Sequence, residues 1–319
     1  MPSVFTDYEQ RVIQEIVLHK IQPSWIQRLL QGAGRPFGQL FEAGRQSNNR
    51  AIRGVSNRVQ GWVEEGLIKT FHVANRLTSD TQVTRRALAQ GLPVSSIESL
   101  RYLPLDRLDR VADSFKFRNY LMLGIEGILF GGATTLAESI PGAQLIIPSL
   151  MLTDITTSMT LLSRNTCQVA TAYGFSSKQA GNLPHLIAAM APHTDTGDEG
   201  YLALKTAVLT SIHESAQFMA HSASTLIDRQ LLEREAPQMI RLIAYVADRL
   251  GVVFTEKQLG TIIPIAGAAL NSSINLAFQQ LGHQTAKDYF RRLILEERYG
   301  EELVHYAIAK ELDAFPKRK

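Results

Sequence analysis

"GIEGILFGGATTLAESIPGAQLIIPSLMLTD", residues 124–154, decides how the chain is read. The stretch is small and apolar, is interrupted by Pro141 and Pro148, and carries carboxylates at Glu126, Glu138 and Asp154. Gly124, Gly127 and Gly131 recur at spacings of three and four, and Gly132 adjoins the last of them. On a helix such a pattern makes a smooth groove that a second backbone can approach closely. Each glycine inside a helix costs about 1 kcal/mol relative to alanine, so the cluster needs a compensating reason. Three readings stand: tight packing in a helical core, a hairpin that enters a membrane surface, or a phosphate-cradling loop. The last lacks a preceding strand and a following Gly-Lys-Ser/Thr.

The carboxylates divide the readings further. Asp154, past Pro148, is placed to cap the helix "ITTSMTLLSRNTCQVATAYG", where free N–H groups and the helix dipole favour a negative charge. The sharper alternative pairs Asp154 or Glu138 with Arg164 in an apolar interior, where burial raises a carboxyl pKa and equips it for acid–base work. That alternative describes a hydrolase-type pocket of Glu138, Asp154, Arg164 and Tyr173, with Asn271 or Asn275 across it. The two asparagines sit in an otherwise apolar helix and need partners, either across a helix pair or around a polar cavity.

Outward from this centre nearly every segment has helical periodicity, and strand signals are scarce. The expected fold is all-α: one multi-helix domain over residues 41–310 with glycine-rich central hairpins, preceded by amphipathic helices in 1–40 and followed by a basic tail, 311–319. Asp7 can cap a first helix with Val12, Ile13, Ile16 and Val17 on one face. Gln22-Pro23-Ser24 ends it. A long amphipathic pattern follows, with Ile52, Val55, Val59, Trp62, Val63 and Leu67 on one side and Arg50, Arg53 and Arg58 on the early polar face. "LPLDRLDRVADSFKFRNYLM" repeats the basic amphipathic theme through Arg107, Arg110, Lys116 and Arg118. Gly174 is a natural helix stop, Ser176 or Ser177 a natural cap, and Pro237 a natural start.

Charge is unevenly spread. Residues 1–120 hold 17 Lys/Arg against 11 Asp/Glu, whereas residues 121–226 hold 3 against 7. A basic first third therefore precedes a charge-poor centre. The overall formal charge of +3 is too small to argue for nucleic acid. A single cysteine, Cys167, excludes an intramolecular disulfide and a cysteine-only metal site, and points to a reducing compartment. The opening "MPSVFTDYEQ" has no apolar core of a secretory signal, so a cytoplasmic location is expected. No run is a convincing membrane span, while interfacial insertion stays open.

Chemical motifs are few. "HESAQFMAH" is not His-Glu-x-x-His, so Glu214, Gln217 and His221 are expected as a solvated stripe opposite Ile212, Ala216 and Met219. No metal and no cofactor is expected, and no Gly-x-Ser-x-Gly elbow occurs.

The order of elements resembles one family. A glycine-rich apolar stretch, an Ile-Pro turn, a helix from near Asp154, "AYGF" at 172–175, then "IPIAGAALNSSINLAF" and "AKDYFRRLILEERYG" are similar to the EcsC family over roughly residues 40–300. Matching positions are Gly131, Gly132, Pro141, Asp154, Tyr173, Gly174, Pro264 and Gly267, while Glu126 and Glu138 depart from the expected small residues. The resemblance implies a helical bacterial protein linked to ABC transport or secretion, and it supplies no catalytic residues. Together the two lines lead to an amphitropic protein at the inner face of the membrane. Gly124, Gly127, Gly131 and Gly132 would pack or insert, and Arg50, Arg53, Arg58 and Arg118 would meet an anionic lipid surface. A transporter or secretion component is a further expected partner, and a soluble partner-binding module a further alternative.

Overall fold

The computed structural model describes residues 4–21, 63, 66, 67, 78–116, 119, 147–191, 210, 212, 214–217, 237–247, 250 and 267–314; the side chains of 147–152, 154 and 267–275 lie outside the description. Every regular element among the described residues is helical, so the fold is all-α. In chain order they are α1 (Asp7–Ile21), α2 (Asp80–Ala89), a 3-10 turn (Glu98–Tyr102), α3 (Leu105–Asp113), α4 (Ile147–Ala172), a 3-10 turn (Ala180–Asn182), α5 (Leu183–Ala188), α6 (Gly267–Tyr299) and α7 (Glu301–Ala314). Residues 237–247 are helical too.

Local chemistry sets the ends. The Glu9 N–H donates to the Thr6 hydroxyl (3.2 Å), and the Thr6 N–H donates back to the Glu9 carboxylate (3.0 Å). This reciprocal box satisfies two otherwise free N–H groups. It moves the cap from the expected Asp7 to Thr6. At the far end of α4, Gly174 has φ +87°, the Phe175 N–H reaches Ala170 O (2.9 Å) and the Gly174 N–H reaches Thr171 O (3.0 Å). That left-handed stop was legible in the sequence. Ser176 caps only a turn, donating to Asp80 (2.9 Å) and accepting from the Lys178 N–H (3.2 Å), while α5 begins later at Leu183.

One expectation at the helix start is overturned. Asp154 does not cap a helix, because α4 already begins at Ile147 and carries Pro148 in its first turn. Proline is tolerated there, where its missing N–H would have no partner anyway. The proline that suggested a break is part of the beginning.

α4 and α6 pack along each other, α3 contacts both, and α1 lies against α3, α6 and α7. From Leu162 through Ala172 every residue of α4 is buried, although Ser163, Arg164, Asn165, Thr166, Gln168 and Thr171 are polar. A helix enclosed on all sides has no solvated face for such groups, so they must bond internally. The α4–α6 approach is close at Gly282, where an added Cβ would collide with Leu162 Cδ1. The apolar face of α1 (Val12, Ile13, Ile16 and Val17) joins the same core. Ile212 is buried while Glu214 and Gln217 are exposed, as the amphipathic pattern requires.

Candidate functional site

Leu105, Leu108, Val111 and Ala112 form the buried face of α3, and Asp109 lies within that face, one turn from Leu105. Asp113 follows one turn later. On α6, Lys287 and Arg291 are likewise one turn apart, running the opposite way, so the two pairs meet in register. The Arg291 Nε–H lies 3.1 and 3.0 Å from the two Asp109 oxygens, with Nη2 closing on Oδ2. Lys287 Nζ lies 2.9 Å from both oxygens of Asp113.

Around Asp109 the junction is dry. The Tyr8 hydroxyl from α1 and the Tyr173 hydroxyl past the end of α4 both donate to its carboxylate. Burial alone would raise the Asp109 carboxyl, but the Arg291 fork, the Lys287 charge and the Tyr173 hydroxyl outweigh it and hold it below the usual carboxylate range. Burial raises Tyr173 and Tyr8 above the ordinary phenol, reinforced by the adjacent Asp109 charge. Arg291 also reaches Glu15 (2.8 Å) and Asp288 (3.5 Å), and Asp288 meets His19 of α1 at 2.6 Å. A second tie fixes the other end of α1: Tyr299 donates to Glu9 (2.8 Å) and Arg298 lies 3.2 Å from it.

Around Asp113 the junction is wetter and longer. Asp113 faces Lys116 (2.9 Å), Lys287 and the His283 Nε2 (3.2 Å). Burial would raise its carboxyl, yet His283 and the two ammonium groups push it well below the usual range. His283 itself is pushed down to about 4, chiefly by burial and also by Lys116 and Lys287, against the pull of Asp113. From its Nδ1 the bonding continues inward through Asn165 (3.0 Å) to Asn119 and Gln168.

These junctions fix charge; none presents an open acid–base pair. Tyr173 is fully buried and committed to Asp109. Arg164 is buried in α4. At about 1.5 Å of rise per residue, one continuous helix sets Asp154 about 15 Å from Arg164 and about 28 Å from Tyr173. Those three expected pocket residues therefore do not converge, because α4 runs unbroken from Asp154 to Ala172. Glu138, Gly124, Gly127, Gly131, Gly132, Arg50, Arg53, Arg58 and Arg118 lie outside the described residues; Asn271 and Asn275 lie in the first turns of α6, their side chains outside the description. Cys167 is buried, its thiol pushed up to about 12 by burial, and is no nucleophile. Among the described residues no three His, Cys, Asp or Glu side chains are placed to hold a metal ion.

Asp109, Asp113, His283, Lys287 and Arg291 were not singled out from sequence. A signal existed: Asp109 interrupts an apolar stripe, and His283, Lys287 and Arg291 repeat every four residues.

The described residues form a helical protein braced by internal ion pairs. Its sequence matches the EcsC protein family over residues 39–294, and the chain belongs to that family. No curated protein and no solved structure matches it. α1 and α7 both fall outside the matched range, yet Tyr8, Glu9, Glu15 and His19 of α1 all bond to residues within or just beyond it.

Proposed function

We propose that this EcsC-family chain is an amphitropic protein that binds reversibly to anionic lipid at the inner face of a bacterial membrane, in support of transport or secretion. The carrying observation is the division of charge: 17 Lys/Arg against 11 Asp/Glu in the first 120 residues, ahead of a centre with 10 charged residues in 106. Basic helices would meet lipid phosphates, each contact contributing about 1 kcal/mol near the surface. Gly124, Gly127, Gly131 and Gly132 would let the central stretch pack closely or enter the interface. Surface binding rather than spanning agrees with the absence, among the described residues, of a helix long and apolar enough to cross a membrane. On α3, the Arg107 and Arg110 side chains are 46% and 55% exposed, and among the described residues both pair with Asp106, itself 36% exposed. Such surface pairs hold weakly in water, which leaves both guanidinium groups able to engage phosphate. The hydrolase reading gains no support from α4, which keeps Asp154, Arg164 and Tyr173 apart.

Co-sedimentation with vesicles tests the reading. Binding to anionic vesicles that high salt weakens is the expected outcome, with Arg53→Glu and Arg58→Glu reducing it. Equal binding to neutral vesicles, or none to either, overturns it.

A further inference from the structure

We propose that His283 and the side-chain amides of Asn165, Asn119 and Gln168 form a proton-operated hydrogen-bond relay, running from α6 through α4 to the segment that enters the glycine-rich stretch. Asn119 stands five residues before Gly124, so the relay ends where that stretch begins.

The bonding pattern carries the inference. The buried His283 ring faces an acceptor on each side: Asp113 Oδ1 at 3.2 Å from Nε2, and Asn165 Oδ1 at 3.0 Å from Nδ1. Asn165 Oδ1 also accepts from Asn119 Nδ2 (3.1 Å), which in turn donates to Gln168 Oε1 (2.8 Å). Only a doubly protonated imidazole has an N–H for both acceptors. In this arrangement Asn165 Nδ2 is buried without an acceptor.

The charged groups that face the ring among the described residues are Asp113 at the end of α3, Lys116 just beyond it, and Lys287 on α6; α4 contributes the uncharged Asn165. Burial and the two ammonium groups favour the neutral ring at ordinary pH. A neutral ring keeps one N–H. Held on Nε2, it donates to the ionised Asp113, which has no proton to return. The Nδ1 lone pair then confronts the Asn165 oxygen. Turning the Asn165 amide removes the conflict: its Nδ2 donates to His283 and, with its second hydrogen, toward Asn119. Asn119 must then present its oxygen, and Gln168 its NH2 group. One buried polar atom of Asn165 is left unbonded in either arrangement, Nδ2 with the charged ring and Oδ1 with the neutral one. An orphaned buried polar atom costs a similar amount in each, so a single proton can select between the two.

The test is NMR of the full-length chain from pH 7 to pH 4, following the His283 ring nitrogens and the side-chain NH2 groups of Asn119, Asn165 and Gln168. The expected result is one shared midpoint, below pH 5, for the ring and all three amides. Amide signals that stay fixed while the ring titrates overturn the relay. His283→Gln should abolish the amide response. Asn165→Leu provides an independent variant should that one fail to fold: His283 should still titrate while Asn119 and Gln168 cease to respond, and a persisting response would sink the proposal.

Discussion

Asp109 and Asp113 stand one turn apart on α3 and meet cations one turn apart on α6, but only one of the two junctions is open to water. The Asp109 side chain is 4% exposed and the Asp113 side chain 39%. Asp109 is sealed by two tyrosines and a forked guanidinium, groups that do not titrate near neutral pH. Asp113 is met by two lysines and a histidine whose charge changes within the acid range. Equal spacing on the same two helices thus yields a fixed brace and a responsive one. What differs is the partner set and the access of water, which together decide whether a buried charge is locked or adjustable.

The largest effect should come from opening the dry junction. Arg291→Leu leaves Asp109 buried without its cation, and unfolding should be easier by about 3–5 kcal/mol in urea titrations. A loss below about 1 kcal/mol would mean that water reaches Asp109 after all. Asp113→Asn should cost less, about 2 kcal/mol, since Lys287 keeps a neutral acceptor and the site is partly solvated.

The pH dependence separates the two junctions. The His283 pKa in the folded chain, about 4, lies below its ordinary value of about 6.5, so the unfolded chain takes up this proton first. Stability should therefore fall on the order of 2 kcal/mol between pH 7 and pH 5. The depressed carboxyls of Asp109 and Asp113 act the other side of pH 4: their contribution is complete above the ordinary carboxyl pKa and is lost as pH falls below it. His283→Gln should remove the upper phase and keep the lower one, read from urea midpoints at each pH. The smallest effect is reserved for the surface. Arg110→Ala breaks a 2.6 Å pair with Asp106 that is exposed on both sides, and stability should change by less than about 0.5 kcal/mol.

Several features were legible in the sequence because their causes are local. Apolar spacing gave the buried face of α1, and Gly174 gave a left-handed stop. The order of glycine-rich stretch, Ile-Pro turn and "AYGF" was enough to point to the EcsC family. Even the Thr6–Glu9 box was present as Thr-x-x-Glu, although Asp7 drew the cap assignment. Pro148 was ambiguous, since proline both breaks a helix interior and suits a first turn; helix geometry decided in favour of the first turn.

Sequence alone determined the class of fold, the family and the division of charge, because each depends on residues close together or on counts. Only the tertiary structure decided which charges meet. Asp109 and Arg291 are 182 positions apart, and Asp113 and Lys287 are 174 apart. No periodicity within a helix specifies such partners. The wrapping of α4 by its neighbours is equally non-local, and it makes internal bonding groups of Asn165, Gln168 and Tyr173, the last an expected pocket residue. Once water is excluded, each buried polar group must find its partner within the protein, and packing determines which partners lie within reach.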